Sequence, residues 1–158
     1  MPIYDKTQLE NIAAVRAGFV CISPAALILA SLVPKFNVTG GNVALLYMYG
    51  EIMVQIAATA VGVSVEHTPT VGAVSELASN IVADLQTYVA GRMLILPALA
   101  GALTATGAGG ACPLNVMPIY VLRPGVLSVT GDAAPATGTI RWVAWWLPID
   151  DGAYMAVA

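Results

Sequence analysis

Charged side chains are scarce in this chain of 158 residues. Lys, Arg, Asp and Glu together make up 9% of the sequence, against about 25% in an average soluble domain. Six basic residues stand against nine acidic ones, so the net charge is −3 and no basic run is available to neutralise a phosphate backbone. We therefore expect no direct binding to nucleic acid. The apolar fraction of 58% excludes intrinsic disorder and indicates that neighbouring molecules cover much of the surface.

Groups that bind metals are also few. His67 is the only histidine, and the two cysteines, Cys21 and Cys112, form no Cys-x-x-Cys motif, so we expect no zinc site. The sequence leaves open whether these cysteines form a disulfide. The run Asp150-Asp151-Gly152 lacks the ligand spacing of a calcium loop and is typical of a turn.

The inventory of catalytic groups is equally thin. Glu66 and His67 are adjacent, and on a strand they would point to opposite faces, which argues against an acid–base pair between them. We expect His67 at an exposed turn entry before Thr68-Pro69. The sequence therefore predicts a protein that is not an enzyme and needs no cofactor.

Two long uncharged tracts raise the question of a membrane. One of 18 residues lies between Arg16 and Lys35, and one of 30 residues runs from Met93 to Leu122. Pro24 interrupts the first tract, and the second contains a Gly-, Ala- and Thr-rich stretch of low transfer energy. The first residues also show no basic cluster before an apolar core, so we expect neither a signal peptide nor membrane insertion.

The N-terminal part differs in character from the rest. From Thr7 to Phe19 the apolar residues recur every three or four positions, which predicts a short helix. Ser23 to Leu32 could extend this helix or begin a new one at Pro24. We therefore interpret residues 1–36 as an N-terminal arm with a short helix, followed by an antiparallel β domain over 37–158.

From Val43 the apolar pattern changes to a period of two, typical of a strand with one dry face. The predicted dry face contains Leu46, Met48, Ile52, Val54 and Ile56. The predicted wetter face contains Tyr47, Tyr49, Glu51, Gln55 and Thr59. Gly50 within this run suggests a bend or a bulge.

The remainder predicts one helix and several short strands. Ser75 to Val89 has a helical stripe, and 116–122 with 126–130 has the form of a hairpin around Arg123-Pro124-Gly125. Thr139 to Leu147 and Ala153 to Val157 are predicted strands. Short strands between Gly and Pro turns indicate a mainly all-β fold, either an antiparallel sandwich or a barrel, with a jelly roll among the options.

The strand over Thr139 to Leu147 also carries the candidate interaction residues. Its single charge, Arg141, and Trp145 are expected on the side opposite Trp142 and Trp146, which are expected in the core. Trp, Tyr and Arg are over-represented at interfaces, and the apolar arm could clasp a neighbouring subunit. The candidate partner-binding residues are Tyr47, Tyr49, Arg141, Trp145, Phe19 and Leu27.

Two regions carry a resemblance to a known class of proteins. The segments that carry it are Gly40 to Val43, Tyr49 to Val54, Thr137 to Trp142, Trp146 to Asp150 and Tyr154 to Ala158. Across residues 38–65 and 116–158 the pattern of strands and turns resembles small β-rich head proteins of tailed bacteriophages, of the decoration or cement type. On this resemblance, Ser75 to Val89 would form turns and short strands instead of a helix.

The resemblance implies a structural role in the virion. The protein would be made in the host cytoplasm and would sit on the capsid exterior between major capsid subunits, as a self-associating trimer that stabilises the shell. Apolar and aromatic area that loses water on contact is sufficient for such a role.

Two other classes remain open at the level of the sequence. A β-barrel carbohydrate-binding or adhesion module would stack sugar rings on Trp145, Tyr47 and Tyr49. A small membrane-embedded protein would use the uncharged tracts.

Overall fold

The computed structural model describes residues 18–57, 60–78, 85–96, 104–105 and 120–158. These residues form antiparallel strands in two sheets, with one short 3-10 helix at Leu85–Thr87. The strands are β1 (Phe19–Ile22), β2 (Ala26–Leu27), β3 (Val33–Thr39), β4 (Val43–Ala57), β5 (Val63–Pro69), β6 (Ser75–Ala78), β7 (Met93–Ile95), β8 (Thr104–Ala105), β9 (Tyr120–Leu122), β10 (Gly125–Gly131), β11 (Thr137–Pro148) and β12 (Tyr154–Val157). The predicted antiparallel sandwich is confirmed.

The two sheets differ in size. Sheet A has seven strands in the order β1-β11-β4-β7-β8, with β2 also paired to β11 and β9 to β4. Sheet B has five strands in the order β12-β3-β10-β5-β6. Their inner faces enclose one hydrophobic core.

Strand β11 shows why these residues form a sandwich. Trp142, Ala144 and Trp146 point into the core and are at most 3% exposed. The residues between them point to the opposite side of sheet A, as the period of two requires. Both the strand and the predicted division of its two faces are confirmed.

Strand β4 is one continuous strand, and the predicted irregularity at Gly50 is wrong. Gly50 pairs with Trp142 in a regular part of the ladder. The three register shifts fall elsewhere: at the extra residues Leu46 and Met53, and opposite Gly138, which faces both Gln55 and Ile56. After Met53 the alternation is displaced by one residue, so Val54 points outward and is 52% exposed. The prediction that Val54 lies on the dry face is therefore wrong.

The helix predicted over Ser75 to Val89 is also wrong in the part that the structure describes. Ser75–Ala78 is strand β6, paired with β5, and only Leu85–Thr87 forms a single 3-10 turn. Leu77 and Leu85 are both buried, but they reach the core from these two separate elements. Residues 79–84 lie outside the described residues.

The hairpin predicted around Arg123-Pro124-Gly125 does not form. Strand β9 pairs with β4 in sheet A, whereas β10 pairs with β3 and β5 in sheet B. Arg123 and Pro124 therefore carry the chain from one sheet to the other, and the Pro124 carbonyl accepts a hydrogen bond of 2.8 Å from the Thr70 N–H. Residues 116–119 of the predicted hairpin lie outside the described residues.

The described part of the predicted arm consists of strands. Phe19–Ile22 and Ala26–Leu27 both pair with β11. Phe19, the last residue of the predicted helix, therefore lies in a strand, and the helix considered for Ser23 to Leu32 is wrong. Pairing with a long neighbouring strand overrides the weak local periodicity. The predicted boundary between residues 36 and 37 falls within β3, and residues 18–36 contribute strands to both sheets. Thr7 and the rest of 1–17 lie outside the described residues.

Candidate functional site

The outward-pointing side of sheet A, here called the apolar face, has an unusual composition. The strand registers place its residues in adjacent rows, and among the residues that the structure describes a single ion pair supplies its charges. The face consists of Val20, Ile22, Leu27, Ala44, Tyr47, Tyr49, Glu51, Val54, Ile95, Val121, Thr139, Arg141, Val143, Trp145 and Leu147. Val20, Ile22 and Val121 are 46%, 52% and 62% exposed. A solvated sheet surface normally alternates to polar residues at such positions.

Three aromatic rings form a cluster at the middle of the apolar face. The ring centroids of Tyr47 and Trp145 are 5.5 Å apart, those of Tyr47 and Tyr49 are 5.5 Å apart, and those of Tyr49 and Trp145 are 5.9 Å apart. Tyr47 and Trp145 are register partners across β4 and β11, which brings their side chains together. Tyr47 is only 7% exposed, whereas Tyr49 and Trp145 are half-buried. A partner would therefore meet Tyr49 and Trp145, with Tyr47 supporting them.

The ion pair of the apolar face joins Arg141 and Glu51. These residues are register partners, and the Arg141 Nη2 donates to Glu51 Oε2 at 2.5 Å. The hydrogen bond and the negative charge of Glu51 raise the pKa of Arg141, so the guanidinium stays charged. Because the two charges cancel, the apolar face carries little net field despite its one basic side chain.

The structure brings together five of the six predicted partner-binding residues. Tyr47, Tyr49, Arg141 and Trp145 share the middle of the apolar face, and Leu27 lies on the same face at the end of β11 opposite Thr139. Phe19 does not belong to this group. It pairs with Trp146 on the inner side of sheet A, and their ring centroids are 5.0 Å apart.

Sequence reasoning missed the contribution of β1 to the apolar face. Val20 pairs with Trp145 and Ile22 pairs with Val143, so both extend the face beyond β11. The available signal was the β-branched pair Val20 and Ile22, two positions apart between the two segments considered as helix. The Cys21 thiol is free and donates to the Met155 carbonyl at 3.1 Å, linking β1 to sheet B, and burial raises its pKa. Cys112 lies outside the described residues.

The outer side of sheet B has the opposite character. The registers of β3, β5 and β10 place mainly small polar or acidic residues there. These residues are Asn37, Ser64, Glu66, Thr68, Ser128 and Thr130, with Val126 paired between Asn37 and Thr68. Ser64 and Ser128 are each only 5% exposed. The sandwich is therefore two-sided, with a largely apolar side on sheet A and a more polar side on sheet B.

His67 is not at an exposed turn entry, and this prediction is wrong. It lies within β5, points inward and is 5% exposed. Its Nε2 is 3.0 Å from the Arg123 carbonyl, which can only accept, so Nε2 carries the proton. Burial lowers the pKa of His67, with the hydrogen bond to Arg123 opposing the shift. The ring is therefore neutral at physiological pH.

Metal-binding groups do not converge in the described part of the chain. No set of three His, Cys, Asp or Glu side chains there could hold a metal ion. Asp150 instead closes the predicted turn, because its Oδ2 accepts the Asn42 N–H at 2.7 Å and its carbonyl accepts the Ala153 N–H at 3.1 Å. The described residues also include no helix with the length and apolar character needed to cross a membrane.

Comparison with family models, curated proteins and solved structures gives no significant match to this chain. The two-sided surface of the sandwich is therefore the feature that points to a function.

Proposed function

We propose that this chain is a non-enzymatic virion structural protein that decorates a phage capsid by placing its apolar face against major capsid subunits. The phage assignment comes from the resemblance in the strand pattern, and the observation that supports docking is the aromatic cluster on the apolar face. On this proposal the protein is made in the host cytoplasm, self-associates as a trimer and resides on the capsid exterior.

The composition of the apolar face suits permanent contact. Exposed apolar side chains such as Ile22 and Val121 lose water when a partner covers them, which contributes about 25 cal/mol per Å² before association costs. Repetition over a lattice would strengthen a modest contact through multivalency. Glu66, Thr68 and Thr130 on the more polar side of sheet B would then face solvent, giving the molecule a defined orientation on the shell.

The centre of the contact would be Trp145 and Tyr49, with Arg141 beside them. Large aromatic and Arg side chains near the middle of an interface contribute most of the binding energy in many complexes. Tyr47 packs against both aromatic rings and would limit their movement, so less side-chain entropy would be lost on docking.

Co-sedimentation with expanded capsid shells of the phage that carries the gene tests this proposal. Wild-type protein should saturate the shells at a fixed ratio, and Trp145→Ala should weaken uptake by at least about tenfold. Tyr154→Ala is the matched control, because Tyr154 is an aromatic residue on sheet B that is 57% exposed. It should leave uptake unchanged.

Two outcomes would reject the capsid proposal. One is a stable monomer that no shell takes up, and the other is equal uptake of the Trp145→Ala and wild-type proteins. Binding to a glycan array without shell uptake would instead favour the carbohydrate-binding alternative. The burial of Tyr47 leaves that alternative with two of its three stacking residues.

A further inference from the structure

A cavity of about 270 Å³ opens where the turn between β5 and β6 meets the crossing from β9 to β10. Its polar wall consists of His67, Ser75 and Arg123, and its apolar wall consists of Pro69, Val71, Ala73 and Val121. Val121 also lies at the edge of the apolar face. Polar atoms supply more of the cavity lining than apolar atoms do, which favours a ligand with a charged head over a large apolar one, and drug-sized pockets span roughly 300–1,000 Å³. The volume therefore suits a small ligand.

The polar wall is held in place by the fold. His67 and Ser75 are register partners on β5 and β6, so both side chains point to the same side of sheet B. His67 also donates from Nε2 to the Arg123 carbonyl at 3.0 Å, which fixes the backbone that carries the guanidinium. A buried imidazole thus positions Arg123, while the Ser75 hydroxyl beside it is exposed.

Arg123 differs from the other cations of the described residues. Arg141 pairs with Glu51, Arg92 lies 4.4 Å from the centroid of the Tyr88 ring, and Lys35 is only 7% exposed. The exposed Arg123 guanidinium has no carboxylate partner in the described part of the chain. It lies along the cavity wall near Gly72, where an added β carbon would be 3.9 Å from Nη1.

We propose that this cavity binds a short-chain aliphatic carboxylate, a role beyond the proposed capsid contact. The planar guanidinium of Arg123 matches a carboxylate in a bidentate arrangement, and the Ser75 hydroxyl supplies a further donor. The one positive charge balances one carboxylate but would leave the second charge of a phosphate uncompensated. The apolar wall beside it accommodates a short hydrocarbon chain.

Nuclear magnetic resonance titration of the full chain with sodium butyrate tests the site. Backbone amide shifts in 67–75 and 121–124 should saturate with butyrate, whereas uncharged butyramide and inorganic phosphate at equal ionic strength should produce much weaker shifts. Arg123→Gln should weaken butyrate binding by at least about tenfold, since it removes a charge-assisted contact. Ser75→Ala should weaken it by a smaller factor.

Arg92→Gln removes the same charge away from the cavity and should bind butyrate as the wild type does. Melting curves establish that each variant is folded before titration. Absence of saturable shifts, equal shifts with butyramide, or unchanged affinity in Arg123→Gln would overturn the proposal. Because shell uptake is measured separately, failure of this site and failure of the capsid proposal are distinguishable.

Discussion

Gly50 of β4 is paired with Trp142 of β11, and the indole of Trp142 occupies the space beside the glycine where another residue would place its side chain. A β carbon built at position 50 would lie 2.9 Å from Trp142 Cη2 and 2.9 Å from Ile140 Cγ2. The glycine therefore allows a fully buried Trp to lie flat against the central strand pair of sheet A.

Gly50→Ala should destabilise the fold by about 1–3 kcal/mol, because the added methyl group overpacks the core. Urea denaturation measures this change. In the Trp142→Phe background the smaller ring leaves room at position 50, so the same substitution should cost less there. If the losses in unfolding free energy of the two single substitutions simply add in the double mutant, this result would contradict the close packing of Gly50 and Trp142.

The fold class could be predicted from the sequence, but parts of the register could not. The strict alternation around Trp142 and Trp146 placed both residues correctly in the core. Val54 was misplaced because the bulge at Met53 depends on pairing with β11, which local sequence does not encode. The exposed position of Val20 follows from the pairing of β1 with β11, which sets Val20 beside Trp145. Tertiary pairing, more than local pattern, thus determined the apolar face.

The burial of His67 predicts a pH-dependent stability. Burial lowers the pKa of His67 below its ordinary value of 6.5, so the unfolded chain takes up a proton at a higher pH than the folded chain. Protonation therefore favours unfolding. The contribution of His67 to stability should be complete above about pH 6.5 and should be lost as the pH falls toward the folded-state pKa.

Urea midpoints measured between about pH 8 and about pH 5 test this dependence on His67. His67→Gln can still donate to the Arg123 carbonyl but does not titrate, so its stability should vary less across this range. If the midpoints of His67→Gln and the wild type fall in parallel, another group controls the pH dependence.

Substitutions at Trp142 and Trp145 should distinguish a loss of fold stability from a loss of docking. Trp142 is 2% exposed in the core, so Trp142→Ala should destabilise the fold by about 3–5 kcal/mol. Trp145 is half-buried on the apolar face, so Trp145→Ala should cost about 1–2 kcal/mol while producing the larger loss of shell uptake among folded variants. Urea unfolding of both variants gives the ranking. A greater loss of stability for Trp145→Ala than for Trp142→Ala would show that Trp145 acts as a core residue.

The Arg141–Glu51 pair gives a test of charge balance on the apolar face. Glu51→Gln and Arg141→Gln each leave one charge without its partner, and covering that charge on docking is costly. Each single variant should lower the affinity for shells by at least about tenfold. The effect on folding should be smaller, because the side chains of Arg141 and Glu51 are 39% and 23% exposed and solvent screens the pair. The double variant removes both charges and should recover part of the affinity. If both single variants bind shells as the wild type does, this part of sheet A lies outside the contact. If the double variant binds shells no better than either single variant, the pair does not contribute to docking through its charge balance.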